Sequence, residues 1–107
     1  MRALIVVTDL MTRSRLQEGA VAAGYEVAVS RQVPAPDADD EIPDIMVVDL
    51  DLPGALESAN RWRQEHPQTR VVGFAFHVEE GLIERARAAG LEVVPHGATG
   101  RPARIFT

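Results

Sequence analysis

The residues best suited to chemistry in this sequence are carboxylates that follow directly on apolar runs. Asp9 comes after Ala3-Leu4-Ile5-Val6-Val7-Thr8, and Asp49 and Asp51 come after Ile45-Met46-Val47-Val48. Hard oxygen donors of this kind suit Mg²⁺, which takes one or two carboxylates and keeps several waters. Such a group supports weak cation binding and phosphoryl chemistry. A lone aspartate after a strand also has an ordinary structural use, as the cap of the next turn or helix. His96 follows the short run Leu91 to Pro95 and, when protonated, is a candidate anion contact. His77, ahead of Val78-Glu79-Glu80, reads as the approach to a helix, because no nucleophile stands beside it. The three histidines, His66, His77 and His96, lack the spacing of a dedicated metal site.

Composition removes several classes of function. The chain has no cysteine, which excludes disulfides, zinc thiolates and thiol nucleophiles. All 11 basic residues are arginine, so no side-chain amine is present. A net charge of -5 argues against a nucleic-acid partner, which requires a basic patch. No apolar run approaches the ~20 residues of a membrane span, and the N-terminal run is too short for a signal peptide. A cytoplasmic location is the expectation. Neither G-x-G-x-x-G, nor a P-loop, nor G-x-S-x-G occurs, and no enzymatic activity is expected.

The elements that must hold these residues alternate along the 107-residue chain, which has room for one core. Leu4–Val7, Glu26–Ser30, Ile45–Val48, Val71–Phe76 and Leu91–Val94 read as strands. Helices are expected over Arg13–Ala23, capped by Thr12 and stopped by Gly24, over Ala55–Glu65, and over Glu79–Ala89 with Leu82, Ile83, Ala86 and Ala89 inward. The stretch Gln32–Pro43, with three prolines and the acidic run Asp37–Glu41, reads as a loop or one short turn. Alternating strands and helices define an α/β class with a parallel sheet, whose ligands sit beyond the strand carboxyl ends. That rule selects the same aspartates and His96.

The order Thr8-Asp9, Ala22-Ala23-Gly24-Tyr25-Glu26-Val27, then Asp44-Ile45-Met46-Val47-Val48-Asp49-Leu50-Asp51-Leu52-Pro53-Gly54 resembles the receiver domains of bacterial two-component response regulators. Arg61 to Pro67 and Ala86 to Glu92 extend the resemblance over roughly residues 3–96. It implies a flavodoxin-like (CheY-like) fold, a doubly wound five-stranded parallel sheet in the order 2-1-3-4-5, with Asp49 as phosphoacceptor. It further implies Asp9, Asp49 and the carbonyl of Asp51 as ligands of Mg²⁺, the single candidate cofactor and one not required for a binding role.

The chain departs from the receiver pattern at the positions that should assist Asp49. Thr8 replaces the first of two metal-binding acids, and Ala75 stands where a hydroxyl senses the phosphoryl group. No lysine follows the fifth strand; His96 and Arg101 are the cations nearest that place. Of the five functional positions only Asp9 and Asp49 survive. The second helix is reduced to the proline-rich segment, and the fifth is short or missing. The expected organisation is one domain over 1–107, with a core of 1–96 and a tail of 97–107. An uncovered sheet face would need covering by a second copy, another protein, or the tail through Ile105 and Phe106, with a homodimer as the leading expectation. Trp62 is expected to be partly buried against the sheet. The implied function is a degraded, pseudo-receiver signalling domain acting through a histidine kinase, an output protein or itself. The alternatives are a working phosphoacceptor at Asp49 and a small-ligand binder in the strand-end crevice.

Overall fold

The computed structural model describes residues 1–37, 41–75 and 81–106. In chain order these form β1 (Arg2–Val6), α1 (Leu10–Ala22), β2 (Glu26–Ser30), β3 (Ile45–Asp49), α2 (Ala55–Glu65), β4 (Arg70–Phe74), α3 (Leu82–Ala88) and β5 (Glu92–Val93). Two 3₁₀ turns, His96–Gly100 and Pro102–Arg104, follow. All strands are parallel in one sheet of order β2-β1-β3-β4-β5, the expected flavodoxin-like arrangement.

The apolar pattern explains the order. β3 is buried at all five positions, as a central strand covered on both faces must be, whereas β2 at the edge is exposed at three of five. Alternate side chains of the sheet feed two cores. Val6, Met46, Val48 and Val71 meet Leu56, Ala59, Trp62, Leu82 and Ala86 of α2 and α3 on one face. Ala3, Ile5, Val47, Val72 and Phe74 meet Leu16 and Ala20 of α1 on the other.

Local chemistry sets the ends. Pro53 and Gly54 turn the chain into α2, with Ala55 N bonded to Leu52 O at 3.0 Å and Gly54 at φ 69°. α1 begins three residues earlier than expected because Asp9, not Thr12, caps it; Thr12 is buried instead. Ala23 ends α1 as an exposed residue rather than joining its apolar face. In α3, Leu82 and Ala86 are buried, while Ile83 and Ala89 are half-buried. β4 ends at Phe74, with Ala75 already outside the strand, and α3 begins at Leu82 after Gly81 at φ 93°, not as part of a helix running on from Glu79; Phe76, His77, Glu79 and most of the acidic run lie outside the described residues.

No helix occupies residues 31–37 or 41–44, in agreement with the proline-rich reading. His66 Nε2 lies 2.7 Å from Pro36 O, and Thr69 Oγ1 donates to Pro43 O at 2.9 Å, pinning the segment to the ends of α2 and β4. Trp62 is 2% exposed, buried rather than half-buried, with its ring 4.3 Å from that of His66.

The fifth helix is replaced by the two 3₁₀ turns, which carry the chain back across the α1 face. Ile105 and Phe106 are 1% and 3% exposed within the second core, and Phe106 packs on Tyr25 with ring centroids 5.6 Å apart. Arg70 Nη1 donates to Ile105 O at 2.6 Å while its other nitrogens grip both carboxylate oxygens of Glu92. Gly19 seats Pro102 so closely that a Cβ there would fall 2.3 Å from the proline ring. Of the coverings considered for this face, the tail itself supplies one, and the exposed surface on which the dimer expectation rests is thereby buried.

Candidate functional site

The carboxyl ends of β1 and β3 bring Asp9, Asp49 and Asp51 to one edge of the sheet, and the turn after β5 adds His96. Mutual electrostatic influence among these groups places them together: His96 favours ionisation of both Asp9 and Asp49, while Asp9 and Asp51 oppose that of Asp49. The sequence-selected residues share that edge of the sheet, but no three of them close on a common metal position among the described residues. Arg101 is an exposed residue of the tail turn.

Asp9 is exposed, and its Oδ2 accepts from Thr12 N at 2.9 Å, the usual bond of an N-cap. Hydrogen bonding to Thr12, through its side chain and then its backbone, holds the Asp9 carboxyl below the ordinary range, helped by the charges of His96 and Arg15. A group whose folded pKa is depressed stabilises the fold above its unfolded pKa and loses that contribution as pH falls through the folded value. Asp9→Ala should lower the urea midpoint at pH 7, and Asp9→Asn should lower it less. Chemical denaturation from pH 7 to 3 should show the Ala gap narrowing in acid.

Asp49 is 5% exposed, and its Oδ1 accepts from Asp51 N at 2.9 Å, closing the turn after β3. Burial pushes its carboxyl above the ordinary range; the Asp51 amide partly offsets this, and the Asp51 charge adds to it. The sign is opposite to that of Asp9. Protonated Asp49 suits the fold, so stability declines as pH rises from the unfolded carboxylate pKa through the raised folded one. Asp49→Asn should therefore raise the thermal midpoint at pH 7, with the advantage vanishing near pH 3. Equal midpoints at both pH values would contradict this account.

The donor chemistry, though not a closed geometry, is of the kind Mg²⁺ takes. The capping bonds use one oxygen each of Asp9 and Asp49, hard oxygens dominate, and the Asp51 carbonyl lies two residues past Asp49. Among the described residues no three His, Cys, Asp or Glu side chains converge on a metal position, so such an ion would keep most of its water. Ala75, immediately after β4, is buried in the first core. Val94 N donates to Gly73 O at 2.9 Å, and Val94 packs against the second core immediately before Pro95. Both positions are apolar.

The class defined by this sheet order is the CheY-like form of the flavodoxin fold, the fold of the solved receiver domains on which the chain superposes. The particular likenesses are as follows. Over 53 residues, 48% of this chain and 25% of that protein, the sequence is 45% identical to the transcriptional activator protein ExaE of Pseudomonas putida, so the match spans about a quarter of its relative. An orphan response regulator of H. pylori superposes with a TM-score of 0.78 at 16% identity, over 98% of this chain and 92% of that one. A CheY-like receiver domain protein from Methanospirillum hungatei gives 0.76 at 17%, over 94% and 84%. No family model matches the chain. Among the described residues no helix is long and apolar enough to cross a membrane.

Two contributors escaped the sequence reading. Arg70, which ties β5 and the tail together, carries no local signal. Gly19 does carry one, being an isolated glycine inside a helical pattern, which commonly marks close packing.

Proposed function

We propose that this chain is a receiver-like signalling domain that acts through protein–protein contact, with a phosphoryl site too depleted to serve as a switch. The observation that carries the reading is Ala75: a buried methyl group occupies the position immediately after β4, where the receiver pattern calls for a hydroxyl. The lack of lysine anywhere in the sequence points the same way. Phosphoryl transfer depends on positioned charge, and each missing fixed donor costs on the order of 10²-fold in rate.

The partners in this proposal are a histidine kinase, an output protein or a second copy, in the cytoplasm and without nucleic acid or membrane. The likeness to part of a transcriptional activator favours an output protein. No catalytic turnover is assigned. A second reading, phosphorylation of Asp49 with weak Mg²⁺ dependence, is favoured by the placement of Asp9, Asp49, Asp51 and His96 at one sheet edge.

Beryllofluoride with Mg²⁺, a mimic of an acyl phosphate, separates the two readings. Silence in a ¹H–¹⁵N spectrum is the expected result. Shifts around β3 and β4 that disappear in Asp49→Ala would establish the second reading instead.

A further inference from the structure

α1 carries apolar side chains on two sides. Thr12, Leu16 and Ala20 are buried, and the stripe opposite them, Met11, Ser14, Glu18 and Val21, is exposed along its whole length. The outward face of a surface helix is ordinarily polar. Here Leu10, Met11 and Val21 are 64%, 66% and 63% exposed, and apart from Met1 no large apolar side chain among the described residues is more so.

Steps of three, four and three residues along Met11, Ser14, Glu18 and Val21 are those of a seam that meets a partner helix. The seam is uneven. Its apolar ends stand about 15 Å apart, at 1.5 Å per residue, with the polar pair Ser14 and Glu18 between them. Gln17 and Ala22 join Ser14, Glu18 and Val21 in lining a shallow depression that a protruding side chain can enter.

This distribution selects the occupant. A second copy laid parallel would set Glu18 against Glu18, and juxtaposed like charges are disfavoured. In an antiparallel pair crossing near residue 16, Met11 of each copy meets Val21 of the other, and Ser14 meets Glu18. Arg15, exposed and next to Ser14, then lies beside the opposing carboxylate. The helix thus carries both halves of its own complement, as a two-fold interface requires.

We infer that the outer face of α1 is an interface between two copies of this chain, paired antiparallel along Met11, Ser14, Glu18 and Val21. The inference rests on the proposed role in protein–protein contact and names one partner for it. The surface is distinct from the sheet face that Ile105 and Phe106 cover, and that face stays closed in such a dimer. Association beyond twofold in a variant whose tail detaches is therefore a separate event.

A single helix pair makes a small interface and a weak dimer, so sedimentation equilibrium of the full chain should show the average mass climbing from 11.7 kDa at about 10 μM toward twice that at about 1 mM. Met11→Glu and Val21→Lys put an acid in the first turn and a base in the last, which suits the helix dipole and preserves the fold. Each alone should weaken association at least tenfold, because it sets a charge against an apolar side chain. An equimolar mixture of the two variants should associate again. One end then pairs the introduced carboxylate with the introduced ammonium, and the other keeps the natural contact of Met11 with Val21. A monomer at 1 mM overturns the inference and leaves the kinase or the output protein as partner, with the signalling role intact. Association unchanged in both single variants also overturns it, as does a mixture no stronger than either variant alone.

Discussion

Phe106→Ala should destabilise the fold by about 3 kcal/mol, and Ile105→Ala by about 2, although both lie at the end of the described chain. Removing a buried Phe or Ile side chain typically costs roughly 3–5 or 2–5 kcal/mol, from lost transfer energy and from the cavity left behind. Burial at 3% and 1% puts these residues among the interior side chains of the second core, with Ile5, Val47 and Phe74. The values sit at the low end because a terminal segment has an escape: it can detach, which caps the loss at the energy of docking residues 97–106. Against a typical total of ~5–15 kcal/mol, either change is large. Two readouts separate a loosened core from a detached tail. Hydrogen exchange at Ile105 and Phe106 should rise in both cases, but only detachment uncovers the α1 face. Dye binding and concentration-dependent association should then appear in Phe106→Ala at high micromolar protein. An unchanged urea midpoint in both variants would show that the tail is ornamental to stability.

Where the sequence reading succeeded, the information was local. The run Ile45–Val48 is apolar without alternation, so only a central two-faced strand could use it, and β3 is that strand. Prolines 34, 36 and 43 forbid a regular helix wherever they fall, and none forms in the described part of that segment. The misplaced cap shows the limit of local reasoning. Asp9 and Thr12 are both competent N-caps, and the competition is decided by where β1 releases the chain, not by either residue. The burial of Trp62 is likewise non-local: its 2% exposure follows from packing with strand residues such as Met46, Val48 and Val71, which its own helical neighbours do not reveal. The tail is the extreme case. Its path requires Gly19 to admit Pro102, Arg70 to hold the carbonyl of Ile105, and Tyr25 to receive Phe106, partners separated by 35 to 83 residues that no window along the chain brings together. The acid cluster was legible because a topological rule, and not packing detail, determines which strand ends face each other.

Restoring missing charge should revive phosphoryl chemistry at Asp49, and the test is a double substitution, Thr8→Asp with Val94→Lys. The first adds a hard carboxylate next to Asp9, a further oxygen donor for a cation at the strand ends. The second puts an ammonium immediately before Pro95, on backbone held to Gly73 by the Val94 N–H at 2.9 Å. Val94 is only partly buried, so a lysine stem can follow its path along the apolar surface and carry its charge to the edge. Each fixed group is worth on the order of 10² in rate in sites that work by charge stabilisation. Incubated with acetyl phosphate and Mg²⁺, the double variant should acquire phosphate at Asp49 at least about 10²-fold faster than the natural sequence. Adding Asp49→Ala should return incorporation to background. The comparison bears on the proposed role from both sides. A slow natural protein and a fast variant mean that the scaffold retains the geometry and has lost only the donors. A natural protein as fast as the variant means that another group at the strand ends, with His96 the first candidate, supplies the charge that lysine would, and Asp49 is a working phosphoacceptor. Two slow proteins place the fault in Asp49 itself, whose burial favours the protonated carboxyl over the nucleophilic carboxylate. In that event, the rate of the variant should rise with pH through the raised pKa of Asp49, which the first outcome does not require.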